Sequence, residues 1–475
     1  MSKNNDITFT RPEYDEALPT WKRNRDVCSG PDAVKAAGHE HLPKLNPLDT
    51  SEANEQRNAS YLARAVFYAI ASNTKQGLQG MAFRRDPTLS LPKSNKLEYL
   101  KTNADGAGTS IYQQSQQSLE SVLEVGRDGL YVDYAEEGKQ AIILRYLTEN
   151  IINWRTKRIN GRNKLILVVL RECVEEEDGY GFKDVIQYRE LAMEGARFMV
   201  RVWRPALDGA AKKYVAGEPY YPKPFGADHW DEIPFIFLGA QDNNPDIDKS
   251  PLEALISINL GHYRNSADYE DSVHFCGQIQ PWISGLSEDW RDWLEKNGVK
   301  FGSRNPMLLP AEGAMGMAQG QPNMIAKEAM DDKKAYMIAL GARLIEQNGA
   351  IKTATQASGE QASGTSILGI CCSNVSEAYT VAVMWCARYL GINEFDAISY
   401  AITKEFLPKG ADANVLNAIV AAWQSGAVPT LDMIRSLQKM DIIDPAADPA
   451  TILDVLSTSG PNFVGGANGD GQSAA

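Results

Sequence analysis

The stretch over residues 233–390 most constrains the fold, because its hydrophobic pattern predicts several elements in a fixed order. A strand ends near residue 244, and a helix is expected over residues 251–275. A compact insert rich in Gly, Pro, Met and Trp covers residues 276–325, and a second helix follows over residues 326–348. Two helices on either side of an insert form a hairpin-like arrangement, and this arrangement is not typical of an enzyme pocket.

A polar loop over residues 349–365 joins the second helix to a long third helix over residues 366–392. Ile370, Ala378 and Trp385 recur at helical spacing there, and about 26 residues at 1.5 Å each give a rod of roughly 39 Å. The two bracketing helices carry mixed charges and only interrupted apolar stripes. We therefore expect them to pack against copies of themselves around a ring rather than inside a monomer core.

Upstream of this stretch the hydrophobic period changes twice. Residues 1–55 are polar and rich in proline, which predicts a loosely packed arm with short helices, anchored by Trp21 and Val27. Apolar residues at helical spacing predict a helix that begins near residue 58 and ends in the polar residues 72–76. Residues 77–92 are expected to form a short extended segment with turns. Another helix is expected over residues 110–125, with Thr109 or Ser110 as N-cap and Gly126 as its stop.

From residue 130 to residue 238 the apolar residues alternate with period 2, between turn-like segments. This pattern predicts an antiparallel β-module. The acidic run over residues 175–178 is expected in one of its hairpin turns, exposed to solvent. Further on, short helices are expected over residues 414–426, 427–443 and 449–457, before a low-complexity tail.

Composition and charge restrict the class of protein. A chain of 475 residues is expected to form two or more domains, and 43% hydrophobic with 23% charged residues is typical of soluble proteins. No apolar run approaches the roughly 20 residues of a membrane span, and the first residues lack the apolar core of a signal peptide. The net charge of −13 disfavours a surface that grips nucleic acid. It suits a wall along which nucleic acid slides, but it equally suits any soluble acidic protein, which is the default interpretation.

The motifs of common enzymes are missing from the sequence. It has no phosphate-binding P-loop, no HExxH, no pair of CxxC motifs and no nucleophile elbow. The pairs His39/His41 and His274/Cys276 stand apart from further metal ligands, and the six cysteines are scattered as buried apolar residues usually are. We predict no catalytic residue, no metal and no cofactor, and hence no enzyme.

Several segments together resemble the portal proteins of tailed bacteriophages, and most closely a family of phage proteins with an uncharacterised domain. The segments that carry the resemblance are residues 61–87, 123–134, 233–244, 250–275 and 352–389.

The resemblance implies an α+β portal fold with a β-rich wing, a two-helix stem, a small α/β clip, a long wing helix and a helical crown. The implied boundaries are wing 1–250, first stem helix 251–275, clip 276–325, second stem helix 326–348, tunnel loop 349–365, long wing helix 366–392, crown 393–457 and a disordered tail 458–475.

The same resemblance implies a twelve-subunit ring at one vertex of the capsid, assembled in the host cytoplasm and independent of membranes. Double-stranded DNA would pass through the ring without sequence recognition during packaging and ejection. The implied protein partners are the terminase large subunit, the major capsid and scaffold proteins, and the adaptor or tail proteins.

Two sets of residues are candidates for these contacts. The loop residues expected to face DNA are Lys352, Thr353, Thr355, Gln356, Ser358, Gln361 and Ser363. The clip residues expected to meet a partner are Trp282, Trp290, Trp293, Met315 and Met317. For the loop residues the alternative is an ordinary flexible linker, and for the clip residues the alternative is an ordinary buried core. For the whole protein the alternatives are a minor capsid or adaptor protein and, last, a hydrolase that uses residues 175–178.

Overall fold

The computed structural model describes residues 6–135, 139–159, 161–206, 213–298, 309–320, 324–344 and 366–404, with residues 406, 419, 421–422, 428–439, 443 and 448–453. The chain divides into two compact units, Met1–Lys404 and Glu405–Ala475. Its content of helices and antiparallel sheets makes the fold α+β, as the sequence predicts.

The second unit begins later than the expected crown. Residues 393–404 belong to the first unit, where strand Ser399–Ala401 pairs with strand Thr88–Ser90. In the second unit the helix Thr430–Lys439 confirms the middle one of the three predicted helices, and residues 449–453 are also helical. The tail over residues 458–475 and most of residues 414–426 lie outside the described residues.

Helices precede the sheets in the described part of the first unit. They are α1 (Pro12–Ser29), α2 (Pro31–Ala36), α3 (Glu52–Arg64), α4 (Ile70–Ala82) and α5 (Ile111–Val125). Trp21 and Val27 are buried as predicted, and the arm is helical as expected. Helix α1 is longer than the short helices that were predicted, with 18 residues, and it packs on α4, α5 and α6, so the arm is not loosely packed. Proline has no N–H group, so at the first helical turn it leaves no donor without a partner, and Pro12 starts this helix.

The predicted helix break near residues 72–76 is also wrong. Helix α3 ends at Arg64, residues 65–69 are not helical, and α4 continues through residues 77–82, which were expected to be extended. The apolar spacing runs through the gap without a break, so the hydrophobic pattern did not reveal it. Within residues 77–92 only Thr88–Ser90, strand β1, is extended in a sheet.

Helix α5 follows its prediction at both ends. The hydroxyl of Ser110 accepts from the Gln113 amide, while the side chain of Gln113 accepts from the Ser110 amide, which is a capping box. Gly126 ends the helix with φ +81°, and a Cβ at this position would lie 2.4 Å from the carbonyl oxygen of Asp248. Glycine therefore lets α5 end directly against the loop that precedes the next helix.

The β-module between residues 127 and 239 is confirmed as antiparallel. The strands are β2 (Arg127–Ala135), β3 (Gln140–Leu147), β4 (Ile151–Ile159), β5 (Arg162–Asp178), β6 (Gly181–Glu194), β7 (Arg197–Pro205), β8 (Tyr214–Ala216) and β9 (Phe235–Gly239). A three-stranded sheet has the order β3-β2-β9, and a five-stranded sheet has the order β4-β5-β6-β7-β8. Residues 175–178 end strand β5 and do not form its turn, which corrects the prediction.

After the sheets the chain returns to helices. Helix α6 (Glu253–Gly277) leads into an insert made of strand β10 (Gln280–Ser284), helix α7 (Glu288–Asn297) and strand β11 (Ala314–Ala318). Helix α8 (Met324–Arg343) follows the insert, and helix α9 (Ile367–Tyr389) and strand β12 (Ser399–Ala401) complete the first unit. The helices α6 and α8 thus bracket the insert as predicted.

Helix α9 packs on α5, β2, β9 and β12. Within the described residues it is the one helix long and apolar enough to span a membrane, although the sequence analysis found no such run. Most of its side chains are buried inside the first unit, which is typical of a core helix. The Asn374 amide donates to the Gly239 carbonyl at 2.9 Å, so α9 is also fixed by polar contacts.

Five of the cysteines are buried, as predicted from their scatter along the sequence, and three of them lie on α9. Burial raises the pKa of the Cys371 thiol to about 12, so this thiol stays protonated at neutral pH. Cys173 is exposed on β5 and corrects the prediction for that residue.

Candidate functional site

The candidate site is the pair of packed helices α6 and α8 with the insert between them. The two helices contact each other extensively. When the side-chain amide of Asn265 on α6 is oriented so that its nitrogen donates to the Gly261 carbonyl, its oxygen accepts from Lys333 Nζ on α8 at 3.2 Å. The predicted order of elements is therefore confirmed, with the start of each helix shifted by two residues.

The N-terminal half of α6 is part of the core. Leu255, Ile256, Leu260, Tyr263 and Ala267 are all buried, and α6 packs on α1, α3 and α4. The expectation that both bracketing helices avoid a monomer core is wrong for this half. Its apolar stripe is complete once these neighbouring helices are in place, although it looks interrupted in the sequence.

Polar side chains of α6 hold the non-helical segment 65–69. Asn259 Nδ2 donates to the Tyr68 carbonyl at 2.9 Å, and Asn259 Oδ1 accepts from the Ala71 amide at 3.0 Å. Further along the helix, Ser266 Oγ donates to the Val66 carbonyl at 2.7 Å. These bonds replace helical hydrogen bonds that the segment lacks, which explains the break between α3 and α4.

His262 lies between these two polar anchors. It is buried, and its ring centroid is 4.6 Å from that of Tyr68. Burial lowers the pKa of His262 from its ordinary value of 6.5, and the ammonium groups of Lys333 and Lys334 on α8 lower it further. A neutral imidazole thus belongs to the packed arrangement of α6 and α8.

Asn259, His262 and Ser266 were not expected from the sequence as contact residues. Their spacing of three and four residues places them near one face of α6, close to buried apolar residues such as Tyr263. Polar residues at helical spacing inside an apolar stripe were the available signal, because such groups need partners when they are buried.

The C-terminal half of α6 leaves the core. The Tyr61 hydroxyl donates to Asp268 Oδ1 at 2.6 Å, and Arg64 on α3 pairs with Asp271 at 2.9 Å. Beyond these contacts Val273 and Phe275 are exposed. The half of α6 that carries the insert therefore exposes apolar side chains to solvent in the described part of the chain.

In the described part of the structure, helix α8 packs along one narrow stripe. Ala326, Met330 and Met337 are buried at spacings of four and seven residues, while apolar side chains elsewhere on the helix face outward. Ile338 is 63% exposed and lines an apolar cavity of about 260 Å³ between α4 and α8. Tyr336 is exposed on another side of the same helix.

The insert is a small α/β unit, as predicted, in which β10 pairs with β11. The five expected partner residues do not form one patch. Trp282 covers Gly316 on one face of the two-stranded ribbon, and Met315 and Met317 lie on the other face. Trp290 and Trp293 on α7 contact each other, with ring centroids 5.7 Å apart.

The expected DNA-facing residues, Lys352, Thr353, Thr355, Gln356, Ser358, Gln361 and Ser363, lie outside the described residues. The positions that flank the segment 345–365 are described. The Leu368 amide on α9 donates to the Leu344 carbonyl, just after α8, at 3.2 Å. The two described ends on either side of this segment therefore lie next to each other.

The residues considered for metal or hydrolase chemistry have ordinary contacts. His41 Nε2 lies 2.9 Å from Asp26 Oδ2, and His39 Nδ1 lies 3.0 Å from the Leu42 carbonyl. The described residues, which include His274 and Cys276, contain no group of three or more His, Cys, Asp or Glu placed for a metal ion. The acidic residues 175–178 are exposed on strand β5.

Comparison with known families gives a match without a described function. A family model described as a domain of unknown function, DUF4055, matches residues 251–390, which span α6, the insert, α8 and α9. No curated protein matches the chain.

Solved structures resemble the chain at low TM-scores. The neck of an empty gene transfer agent particle, computed with C6 symmetry, has a TM-score of 0.40 and 14% identity, covering 85% of this chain and 98% of that chain. The neck of the native particle, computed with C12 symmetry, has a TM-score of 0.38 and 15% identity, covering 80% of this chain and 93% of that chain. An HK97-family phage portal protein from Corynebacterium diphtheriae has a TM-score of 0.31 and 9% identity, covering 75% and 95%. Scores below 0.5 leave the function to be argued from the chain itself.

Proposed function

We propose that copies of this chain assemble into a ring that serves as the portal of a tailed-phage head. The observation that carries this proposal is the helix pair α6–α8, which is anchored in the core at one end and carries large exposed apolar side chains near the insert, within it and along α8. Those side chains are Val273, Phe275, Ile279, Trp282, Trp293, Met317, Met324, Ile325, Tyr336 and Ile338.

Exposed apolar side chains concentrated on one helix pair and its insert are typical of a protein interface. On α6 they lie in the half that leaves the core, and on α8 they lie outside the narrow buried stripe. A contact between different faces of identical subunits is heterologous, and it closes into a ring when the rotation between subunits allows. Neighbouring α6–α8 pairs would then line the inside of the ring.

The proposed channel would conduct double-stranded DNA without reading its sequence. Residues 349–365 follow the helix pair in the chain, and Lys352 is the basic side chain among many neutral hydrogen-bonding ones. Phosphate contacts of this kind position a duplex without specifying bases. The net charge of −13 limits adhesion of the passing DNA.

The insert would be the docking site for the terminase large subunit and later for adaptor or tail proteins. Its exposed Trp and Met side chains are residue types enriched in protein interfaces. Major capsid and scaffold proteins would contact the outer parts of the ring. The protein would assemble in the host cytoplasm and remain in the virion, with a structural role and no reaction of its own.

The oligomeric state of the purified protein tests this proposal. We expect electron micrographs to show rings with a central hole, with twelve subunits by analogy with the portal family, and light scattering to give the matching mass. A protein that stays monomeric at every concentration would contradict the proposed ring.

A further inference from the structure

Two neighbouring strands extend well beyond the rest of the five-stranded sheet. Strand β5 pairs with β4 only from Arg162 to Leu170, and β6 pairs with β7 only from Tyr188 to Glu194. Among the described residues, 172–178 and 181–187 therefore pair only with each other. At about 3.4 Å per residue this two-stranded ribbon is roughly 24 Å long.

The base of the ribbon is fixed by a partly buried polar network. Glu172 accepts from Gln187 Nε2 and Arg189 Nε, both at 2.7 Å, and from the Tyr146 hydroxyl. Burial alone would raise the pKa of Glu172, but the Arg189 guanidinium and these hydrogen bonds hold it below its ordinary value. The ribbon therefore leaves the sheet in a defined direction.

Beyond this base the ribbon is exposed on both faces. Every residue from Cys173 to Asp184 is exposed, including the large side chains of Val174, Tyr180 and Phe182. A two-stranded ribbon is marginally stable in water, and unpaired strand edges invite another chain. The geometry thus predicts a partner for this segment.

The charges on the ribbon indicate what kind of partner fits. Glu175 lies directly opposite Asp184, and like charges at this cross-strand position destabilise a ribbon. Residues 176–178 add three carboxylates toward the tip, and Lys183 supplies one positive charge. None of these carboxylates has an ion pair within the described residues, so a basic partner would relieve their repulsion.

A matching basic surface lies at the opposite end of the same strand. Lys157 on β4 lies directly opposite Lys164 on β5, which is again a like-charge pair. The exposed residues beside them are Arg155, Arg158 and Arg162. Of these five residues, Lys164 alone has an ion pair in the described structure, a weak one to Asp231 at 3.9 Å. The basic surface and the ribbon tip are separated by most of the length of β5, on the order of 50 Å.

We propose that the acidic ribbon of one copy, residues 173–184, docks on the basic β4–β5 strand ends of the next copy. Two complementary surfaces at opposite ends of one strand cannot meet within a chain, but they match in a head-to-tail pair. Tyr180 and Phe182 supply the apolar part of the contact. The inference rests on the proposed function in that it names one subunit contact of the ring.

Charge reversal in the full-length protein tests the contact. Variant A reverses ribbon charges and carries Glu175→Lys, Glu177→Lys and Asp184→Lys. Variant B reverses strand-end charges and carries Lys157→Glu, Arg158→Glu and Lys164→Glu. A control reverses exposed charges elsewhere in the first unit and carries Glu218→Lys, Asp228→Lys and Glu394→Lys.

Self-association is measured by sedimentation at low salt, and folding by circular dichroism. We expect variants A and B each to associate at least tenfold more weakly than the wild type, because their ribbons and strand ends carry charges of the same sign. The control should associate as the wild type does. High salt should weaken the wild-type contact, since exposed charges are screened.

Mixing the variants gives the decisive result. In an equimolar mixture of A and B every ribbon can meet a strand end of opposite charge, provided that the two variants alternate. Association should therefore recover toward the wild-type level.

The outcomes separate this inference from the ring itself. If A and B form rings as readily as the wild type, the ribbon contact is wrong and the ring stands. If each is weakened but the mixture does not recover, the ribbon meets another surface or another protein, and the inference is again overturned. A monomeric wild type overturns both the ring and the contact.

Discussion

Asn259 on α6 and Tyr68 in the segment between α3 and α4 are joined by a hydrogen bond of 2.9 Å from the side-chain amide to the backbone carbonyl. The same side chain accepts from the Ala71 amide. One buried side chain thus satisfies two backbone groups. This contact fixes α6, and with it the helix pair and its insert, to the core of the first unit.

We predict that Asn259→Ala lowers the free energy of unfolding by about 3 kcal/mol, because the buried Ala71 amide and the partly buried Tyr68 carbonyl lose their partner. Urea denaturation measures the change. Asn297→Ala is the matched control, since the side-chain amide of Asn297 donates to a backbone carbonyl at an exposed site. This substitution should lower the free energy of unfolding by less than about 0.5 kcal/mol. Equal effects of the two substitutions would show that Asn259 does not have this anchoring role.

Gly126→Ala should be more damaging than an alanine at another glycine with the same backbone conformation. Gly126 has φ +81° and Gly161 has φ +78°, but of these two only Gly126 would bring a Cβ against backbone atoms. Alanine at Gly161 should cost about 1 kcal/mol for the left-handed conformation alone. Alanine at Gly126 should lower the free energy of unfolding by about 3 kcal/mol or more, because the Asp248 backbone must also move. Thermal denaturation of both variants checks this order.

The stability of the protein should depend on pH through His262. Its pKa is lowered in the folded chain, so the unfolded chain binds the proton more readily. The contribution of the neutral imidazole is complete above the ordinary pKa of 6.5 and is lost as pH falls from there through the lower, folded value. His262→Gln should therefore flatten the fall in unfolding free energy below pH 6.5.

Urea denaturation at a series of pH values on both sides of 6.5 measures this difference between wild type and variant. His274→Gln is the control, because His274 is exposed near the end of the same helix. A His262→Gln variant whose pH dependence matches that of the wild type would contradict the prediction.

Lys352→Glu should impair the packaging or retention of DNA and leave ring assembly intact. The substitution replaces a phosphate contact by a repulsive charge in the segment expected to face the channel. Packaging efficiency in an assembly reaction is the readout, with ring formation checked by electron microscopy. Lys93→Glu changes the same charge at an exposed site of the first unit and should have no effect. Unchanged packaging in both variants would place Lys352 away from the channel.

Replacing residues 279–322 by a short Gly-Ser loop should abolish docking of the terminase and preserve the ring. The replaced segment lies between the end of α6 and the start of α8, which pack on each other without it. Co-sedimentation with the terminase large subunit measures docking. Normal docking by the shortened protein would favour the alternative role of a minor capsid or adaptor protein.

Local signals in the sequence were reliable where the structure depends on near neighbours. Ser110 and Gly126 bound α5 as predicted, and the alternating pattern correctly indicated antiparallel sheets. The break between α3 and α4 was not predictable in this way. It depends on Asn259, which lies 191 residues after Tyr68, and on Ser266, which lies 200 residues after Val66.

The candidate surfaces were also visible only in part from the sequence, because strand pairing decided where their residues lie. From the sequence, Trp282, Trp293 and Met317 were candidates either for a partner surface or for a buried core. They are exposed, and their distribution over separate patches depends on the pairing of β10 with β11. The acidic residues 175–178 were visible in the sequence only as a charged run. Their place on an unsupported ribbon depends on where β4 and β7 stop pairing.

The order of the elements, the type of most of them and the residues of the insert could be read before any coordinates, because hydrophobic periodicity and capping are properties of neighbouring residues. Three features emerged only from the folded chain: half of α6 is core, Asn259 stabilises a helix break far away in the chain, and opposite charges lie at the two ends of β5. Burial, buried hydrogen bonds and strand pairing join residues that are distant in the chain, and no local pattern records which distant group will be the partner.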